Sequence, residues 1–400
     1  MSDAILVFNA GSSSIKFALF KTSDQGEPQL SCRGLLDEDQ ADPRLVVTDT
    51  SGHVLLERQS TQSDAVEGRL FGDVVDWVES QCKALAGIGH RVVHGGRKFV
   101  APVRISQQVI AELDQLTPLA PLHQPRCLNP IRKINSLRPN IPQFACFDTA
   151  FHCVIEPPVS RFALPRRFEE LGIRRYGFHG LSYEYIADRL AALSPALAAS
   201  RTVVAHLGNG ASLCAMRNGR SIDTTMGLTA LDGIVMGTRC GALDPGVLLY
   251  LQQALHMSAA DVERLLYRES GLLGVSGISH DVRTLLASDD PRAAEALDLL
   301  AFSVSRHVAA MTNSLGGLDR LVFTGGIGEH AGAVRAAICA RLRWLGLELD
   351  SKANDLSKSR ISAKESRIDV RVIATDEEIM IARHCLTAAH RRPCQAWGGL

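Results

Sequence analysis

Two stretches half a chain apart repeat one arrangement: a short apolar strand, a turn of Asn, Gly and Ser, and a second strand. The first runs Ile5-Leu-Val-Phe-Asn9-Ala-Gly11-Ser-Ser-Ser14-Ile-Lys16-Phe-Ala-Leu-Phe20, and the second Val203-Val-Ala-His206-Leu-Gly-Asn209-Gly210-Ala-Ser-Leu-Cys-Ala-Met216. Apolar and β-branched runs supply the strands, while the turn residues supply positive φ and local side-chain hydrogen bonds. Each stretch opens what reads as an α/β half, although on pattern alone two unrelated hairpins explain them as well. The 400 residues exceed the size at which single cores stop growing, so two domains of about 150 to 250 residues are expected.

Helical patterns alternate with the strands. Asp290-Pro291 offers an N-cap and a first-turn proline, and Leu297, Leu300, Val304, Val308, Met311 and Leu315 recur at steps of three and four up to Gly316-Gly317. This spacing predicts a helix with one buried face. The strand Arg320–Thr324 follows and runs into a glycine-rich turn, Gly325-Gly-Ile-Gly328-Glu-His330. Amphipathic stretches at 70–85, 182–193 and 259–268 complete an α/β class. The proline-rich 140–160 segment is the candidate boundary, and the tail 391–400 reads as frayed.

Composition removes several function classes. The 43 basic and 43 acidic side chains cancel, so no bulk basic field exists for nucleic acid or an anionic membrane. The ten cysteines contain no C-x-x-C pair and no zinc-knuckle spacing, the usage of a reduced, cytoplasmic chain. Asp3 precedes a short apolar stretch without the basic flank of a signal peptide, and no apolar run reaches the roughly 18 residues that span a bilayer.

Three glycine-rich turns after strands, at Asn9–Ser14, Gly208–Gly210 and Gly325–Gly328, suit a chain that brings its backbone close to a polyphosphate, with Lys16 adding charge near the first. No Gly-Lys dipeptide occurs, which excludes a P-loop. Gly326-Ile-Gly328-Glu-His-Ala331 approximates a dinucleotide fingerprint, but it lies late in the chain and Glu329 would crowd a pyrophosphate, so a dehydrogenase is a minority reading. In Gly89-His90-Arg91-Val92-Val93-His94-Gly95-Gly96 the valines favour a strand. The two rings would then lie about 13 Å apart, too far to share an ion, and both read as satisfied, partly buried imidazoles. Arg91 beside the Gly-Gly turn suits bidentate recognition of a carboxylate or phosphate, or else a surface ion pair. Asp148 ends an apolar strand, where α/β proteins mount ligands; capping or pairing is its plainer role. His179, between glycines before a helix, and Arg239, in Met236-Gly237-Thr238-Arg239, repeat the theme of a lone basic group in a glycine-flanked turn.

Taken in order, these segments resemble the acetate kinase family from Ile5 to about Arg383: Asn9–Lys16, Gly89–Gly96, Phe147–His152, Tyr176–Gly180, His206–Gly210, Met236–Arg239 and Phe323–Glu329. The resemblance implies an α/β fold of the sugar kinase, actin and heat-shock chaperone ATPase type, with two similar domains and an interdomain cleft. It divides the chain into an N-terminal domain, 1–150, completed by a C-terminal helix at 384–400, and a nucleotide-binding and dimerisation domain at 151–383. The implied reaction is reversible phosphoryl transfer from ATP to acetate, giving acetyl phosphate and ADP. Arg91 and Arg239 would hold the carboxylate and the phosphoryl, and His179 would donate to an equatorial oxygen. Asp148 holds the family's acid/base position, but an ionised carboxylate substrate has no proton to lose, so orienting an arginine or the metal shell suits it better. Val93, Leu122 and Phe178 would bind the acyl group. Asn9 and Glu377 match positions for Mg²⁺, with Mn²⁺ as an alternative. Lys16, His206, Leu207, Gly208, Asn209, Gly210, Asp281, Val282, Arg283, Gly326, Ile327, Gly328, Glu329 and His330 match nucleotide positions. The family also implies a cytoplasmic homodimer.

Departures from the family pattern fall near the acyl group. Cys240-Gly-Ala242-Leu243 is a more apolar wall than usual, and Ala230 replaces a common proline; extra room would admit propionate or longer acids, or the changes are neutral repacking. His280 stands where the family often has a small polar residue, beside the adenine or ribose contact. Two readings of other kinds remain, a non-transferring ATP-driven module of the same superfamily and the dehydrogenase.

Overall fold

The computed structural model describes residues 3–11, 15–22, 26–37, 44–59 and 69–390. Ser12 to Ser14 of the first turn and the tail 391–400 therefore lie outside the described residues. The chain divides into two compact units, Met1–Ala150 with Asp376–Leu400, and Phe151–Thr375.

The first unit carries β1 (Ala4–Ala10), β2 (Ile15–Lys21), β3 (Gln29–Asp37), β4 (Arg44–Asp49), β5 (Val54–Gln59), β6 (Leu85–Val92), β7 (Val103–Arg104) and β8 (Gln143–Phe147). They form one sheet in the order β5-β4-β3-β2-β1-β6-β8-β7. The second unit carries β9 (Thr202–Leu207), β10 (Ala211–Arg217), β11 (Arg220–Thr224), β12 (Arg320–Thr324) and β13 (Asp369–Val372), ordered β11-β10-β9-β12-β13. Both sheets contain the same five-strand pattern. β1 is antiparallel to β2 and parallel to β6, which is parallel to β8; β9 is antiparallel to β10 and parallel to β12, which is parallel to β13. The repeated strand–turn–strand stretches at 5–20 and 203–216 are the corresponding hairpins of two similar sheets. Their inner strands are buried on both faces, which is why residues 144–147 of β8 and 321–323 of β12 read as unbroken apolar runs rather than alternations.

The helix Pro291–Leu315 begins where the pattern places it. Asp290 accepts from the Arg292 N–H, and Gly316 closes the helix at φ 68°. Leu300, Val304, Val308, Met311 and Leu315 are buried. The 70–85 stretch is shorter than expected: its helix ends at Gln81, and Leu85 already belongs to β6, because pairing with β1 outweighs helical periodicity there. The third glycine-rich turn is also corrected, since Gly325–His330 is a single helical turn and a half leaving β12.

The domain boundary near the C-terminus moves as well. The return to the first unit was expected at 384, with the second domain running to 383; it occurs at Asp376. The helix Glu377–His390 packs on β1 and β6, burying Met380, Ile381, Ala382 and Cys385. Gly89 permits this, because a Cβ there would lie 2.5 Å from Ile381 and 2.6 Å from Cys385.

Each unit holds a fully buried histidine. His90 stacks on Phe8 with ring centroids 5.7 Å apart and donates from Nε2 to Gln143 Oε1 at 2.8 Å. His152 donates from Nε2 to the Phe178 carbonyl at 2.9 Å. Burial pushes both imidazoles down to about 4. The folded protein keeps them neutral while the unfolded chain takes up protons from about pH 6.5 downward. Their stabilisation is complete above that pH and is lost as pH falls toward 4. The denaturant midpoint should therefore drop between pH 7 and pH 5, and His90→Gln should remove part of the drop; a midpoint equally pH-dependent in that variant would contradict the assignment for His90.

Candidate active site

β6 and β8 end side by side, with Arg91 opposite Cys146 and Val92 opposite Phe147, so the guanidinium of Arg91 meets the carboxylate that follows β8. Arg91 Nε reaches both Asp148 oxygens at 3.1 Å and Nη2 reaches Oδ2 at 2.5 Å. Nη1 donates to the Ala10 carbonyl at 3.0 Å. The side chains are 14% and 1% exposed, so this is a buried bidentate pair and not the surface ion pair weighed for Arg91. One N–H on each terminal nitrogen is left over for an anion. Burial works against the Arg91 charge, but Asp148 and Glu377 outweigh it and hold the guanidinium more firmly protonated than usual. Burial pushes the Asp148 carboxyl up, and Glu377 adds to the rise.

Asn9 lies on β1, and its amide donates to Glu377 at 3.1 Å and to Glu378 at 2.9 Å. Glu377 is also 4.0 Å from Arg91 Nε. Burial, with Glu377 beside it, raises the Glu378 carboxyl. Asp148 and Glu377 thus face the guanidinium with Glu378 beside Glu377, an excess of hard oxygen and negative charge that fits Mg²⁺ or Mn²⁺. Among the described residues no three His, Cys, Asp or Glu side chains form a closed metal cage. Glu378 was not singled out in the sequence; its signal is the acidic pair opening the helix. Lys16, opposite Asn9 on β2, is exposed.

In the second unit, the β9–β10 turn organises the basic groups. None of Gly208, Asn209 and Gly210 has positive φ, contrary to expectation; these glycines serve close approach instead. A Cβ on Gly210 would lie 2.5 Å from Arg239 Nη2 and 3.4 Å from His179 Nε2. Arg239 arrives there because its loop docks on the turn. Gly237 N–H donates to the Asn209 carbonyl at 3.2 Å, and only a hydrogen fits between Gly237 and the Asn209 side chain. Arg239 Nη1 is anchored on the Ala230 carbonyl at 2.6 Å. His179 occupies the N-cap position of the helix Gly180–Leu193 at φ 57° but makes no capping bond; its Nδ1 meets Ser212 Oγ at 2.8 Å, and its ring stacks on His206 at 4.3 Å.

Beside this turn is a cavity of about 460 Å³, lined by Gly208, Asn209, His280, Asp281, Val282, Arg283, Leu286, Gly326, Ile327, His330 and Ala331. Eight of the nucleotide positions inferred from the sequence therefore share one cavity. Leu286, one helical turn past Val282, is an apolar liner the sequence reading missed. His206, Leu207, Gly210, Gly328 and Glu329 do not line it. Leu207 and Gly328 are buried, and His206 binds Ser182 through Nδ1 at 2.8 Å. Glu329 does not crowd a phosphate, because its Oε1 turns back to accept from the Gly325 and Thr375 N–H groups at 3.0 and 3.3 Å.

Of the acyl positions, Val93 and Leu122 belong to the first unit and Phe178 to the second; Val93 and Phe178 are buried and Leu122 half-buried. Ala242 and Leu243 form no wall. Gly241, at φ 72°, turns the chain outward and leaves both exposed. Cys240 stays half-buried next to Arg239.

Residues 4–383 match the family model described as the Acetokinase family. The chain is 51% identical over 393 residues to the acetate kinase of Rhodopseudomonas palustris (strain ATCC BAA-98 / CGA009), a match covering 96% of this chain and 98% of that protein. Among solved structures it is similar to a propionate kinase from Francisella tularensis subsp. tularensis SCHU S4, with TM-score 0.86 and 37% identity over 96% of this chain and 99% of that one. It is also similar to Porphyromonas gingivalis acetate kinase, with TM-score 0.84 and 35% identity over 97% and 100% of the two chains.

Gly210→Ala tests the turn directly. The new methyl collides with the end of a long side chain rather than with backbone, so the fold should persist with a melting temperature within about 2 °C of the parent, while a crystal structure should show the Arg239 guanidinium displaced. An unmoved guanidinium would contradict the close approach described here.

Proposed function

The chain belongs to the acetokinase family, and from that premise we infer that it catalyses ATP-dependent phosphoryl transfer to acetate, giving acetyl phosphate and ADP, reversibly. An acetate oxygen attacks the γ-phosphorus as the bond from that phosphorus to the bridging oxygen of ADP breaks. No proton need be removed, because the attacking carboxylate is already ionised. The observation that carries the reading is the placing of Arg239 and His179 together over Gly210, next to the glycine-lined cavity. Donors fixed in advance at the transferring phosphoryl are what such a reaction requires of a protein.

In this reading the cavity takes the nucleotide, with Val282, Ile327 and Leu286 offering apolar surface and the Gly208 and Gly326 backbone admitting phosphates. Arg91 holds the acetate carboxylate through its two remaining N–H groups. Asp148 acts on Arg91, since both of its oxygens are turned to that guanidinium, and it is not the base. Asn9 and Glu377, with Glu378 beside them, would hold Mg²⁺, which neutralises charge on the nucleotide phosphates. Val93, Leu122 and Phe178 remain the proposed acyl contacts, and propionate is the alternative acid; one solved relative is a propionate kinase. A difference of one methylene between these acids carries only about 1 to 3 kcal/mol of discrimination.

Homodimerisation is supported by the helix Pro245–Gln253, which buries none of its residues. Leu243, Val247, Leu249, Tyr250 and Leu255 are all exposed, a contiguous stretch of sequence suited to a second copy; sedimentation of the active protein as single chains would contradict this. The nine described cysteines are free thiols, in keeping with a cytoplasmic enzyme. No described helix is long and apolar enough to cross a membrane.

Hydroxylamine trapping of acyl phosphate, with ATP and Mg²⁺ and acetate, propionate or butyrate in turn, tests the reaction. Acetate should give hydroxamate, and Arg239→Ala should lower turnover about 10³-fold or more, on the scale of an arginine finger. No product from any acid would leave the non-transferring module standing, and near-normal turnover in the variant would remove Arg239 from its role.

A further inference from the structure

Behind His179 runs a short chain of hydroxyl groups that takes no direct part in the proposed transfer. Tyr183, on the helix Gly180–Leu193, is buried with its ring edge-on to His152 at 5.5 Å. Its hydroxyl lies 2.6 Å from Ser212 Oγ, and Ser212 Oγ lies 2.8 Å from His179 Nδ1. Ser212 sits on β10 and is fully buried. Neither hydrogen bond shows by itself which atom carries the proton. The closed surroundings decide it.

Tyr183 and Ser212 each carry one hydroxyl proton, and burial leaves neither hydroxyl with water to donate to. The phenol proton then needs an acceptor, and among the described residues Ser212 Oγ is the one placed to take it. Leaving that proton unpaired in the core would incur the full desolvation penalty of a buried donor. Ser212 accepts from Tyr183, so its own proton must go to its other neighbour, His179 Nδ1. The opposite direction, Nδ1–H donating to Ser212, would leave the serine or tyrosine proton buried with nothing to bind.

We propose that Tyr183 and Ser212 are positioning residues that keep Nδ1 of His179 unprotonated and so place the ring proton on Nε2, the nitrogen turned toward Gly210 and Arg239. The consequence for transfer rests on the reading of His179 as a donor to the phosphoryl. With Nδ1 filled from behind, the ring offers a donor to an anionic oxygen without having to tautomerise first. His206 is wired the same way. Thr375 Oγ1 donates to Ser182 Oγ at 2.8 Å, and Ser182 in turn meets His206 Nδ1 at 2.8 Å. Two stacked imidazoles are therefore each fed at Nδ1 by a serine, from separate elements.

Nitrogen-15 NMR of the histidine rings in the full-length protein tests the wiring, and steady-state kinetics test its consequence. In the wild type, His179 should carry its proton on Nε2. Tyr183→Phe, which keeps the ring packing, and Ser212→Ala should both shift His179 toward a mixture of tautomers. Turnover should then fall by about tenfold while KM for ATP and acetate stays within about twofold, the split expected of a donor used in the transition state. Ser182→Ala should shift His206 and leave His179 as it was. A wild-type His179 protonated on Nδ1, or two variants that keep the Nε2–H form, would overturn the wiring. Shifted tautomers with unchanged turnover would overturn its role in transfer. If the tautomers shift as expected but His179→Ala turns over normally, the assignment of His179 to the phosphoryl fails while the wiring stands.

Discussion

A guanidinium and a carboxylate, both withdrawn from water where β6 and β8 end, constrain much of the first unit. Neither would be tolerated there alone, since breaking such a pair by removing one partner costs about 3 to 5 kcal/mol. Together they fix the direction of Arg91, and two strands with their register are needed to bring them together. The neighbouring carboxylates of Glu377 and Glu378 reach the same place because Gly89 lets the helix Glu377–His390 lie against the sheet. The return of the chain to its first unit is thus tied to the chemistry. It brings acidic groups beside Asn9 and Arg91, the mixture of charges that the proposed cation and carboxylate substrate would need within a few ångströms of each other.

In the second unit the constraint is one of space more than charge. Arg239 and His179 share the room above Gly210 because the turn carries no side chain there, and the Arg239 loop is held by Asn209 and the Ala230 carbonyl. In the proposed transfer such donors would be in place before any ligand arrives, leaving little reorganisation to the moment of reaction. The hydroxyl chain behind His179 extends the same logic to a proton: a buried network with every member satisfied has one arrangement, and in the proposed wiring that arrangement fixes which nitrogen carries the proton.

What the sequence revealed followed from how local each signal was. The two hairpins, the cap and periodicity of the helix Pro291–Leu315, and Asp148 at the end of an apolar strand are all written in neighbouring residues. The reading that Asp148 orients an arginine or the metal shell rather than serving as a base also came from chemistry that needs no coordinates, because an ionised substrate has no proton to give. Contacts between distant segments were harder to read. Glu329 was taken as a nucleotide position, yet it caps its own helical turn; Ala242 and Leu243 were taken as a pocket wall, yet Gly241 turns them outward. Gly210 was taken as a residue chosen for its φ, although its service is to leave room for Arg239. Ser212 and Tyr183 look like ordinary core residues until two strands and a helix are folded together.

In the proposed reaction Arg91 and Asp148 act as one device, the carboxylate holding the guanidinium and the guanidinium holding acetate. A double-mutant cycle on kcat/KM for acetate, using Arg91→Ala, Asp148→Asn and the double variant, measures that dependence. If Asp148 acts only through Arg91, the double variant should be no worse than Arg91→Ala alone, because removing the holder of an absent group removes nothing. Losses that multiply in the double variant would mean that Asp148 contributes independently to the reacting atoms, and would contradict the account.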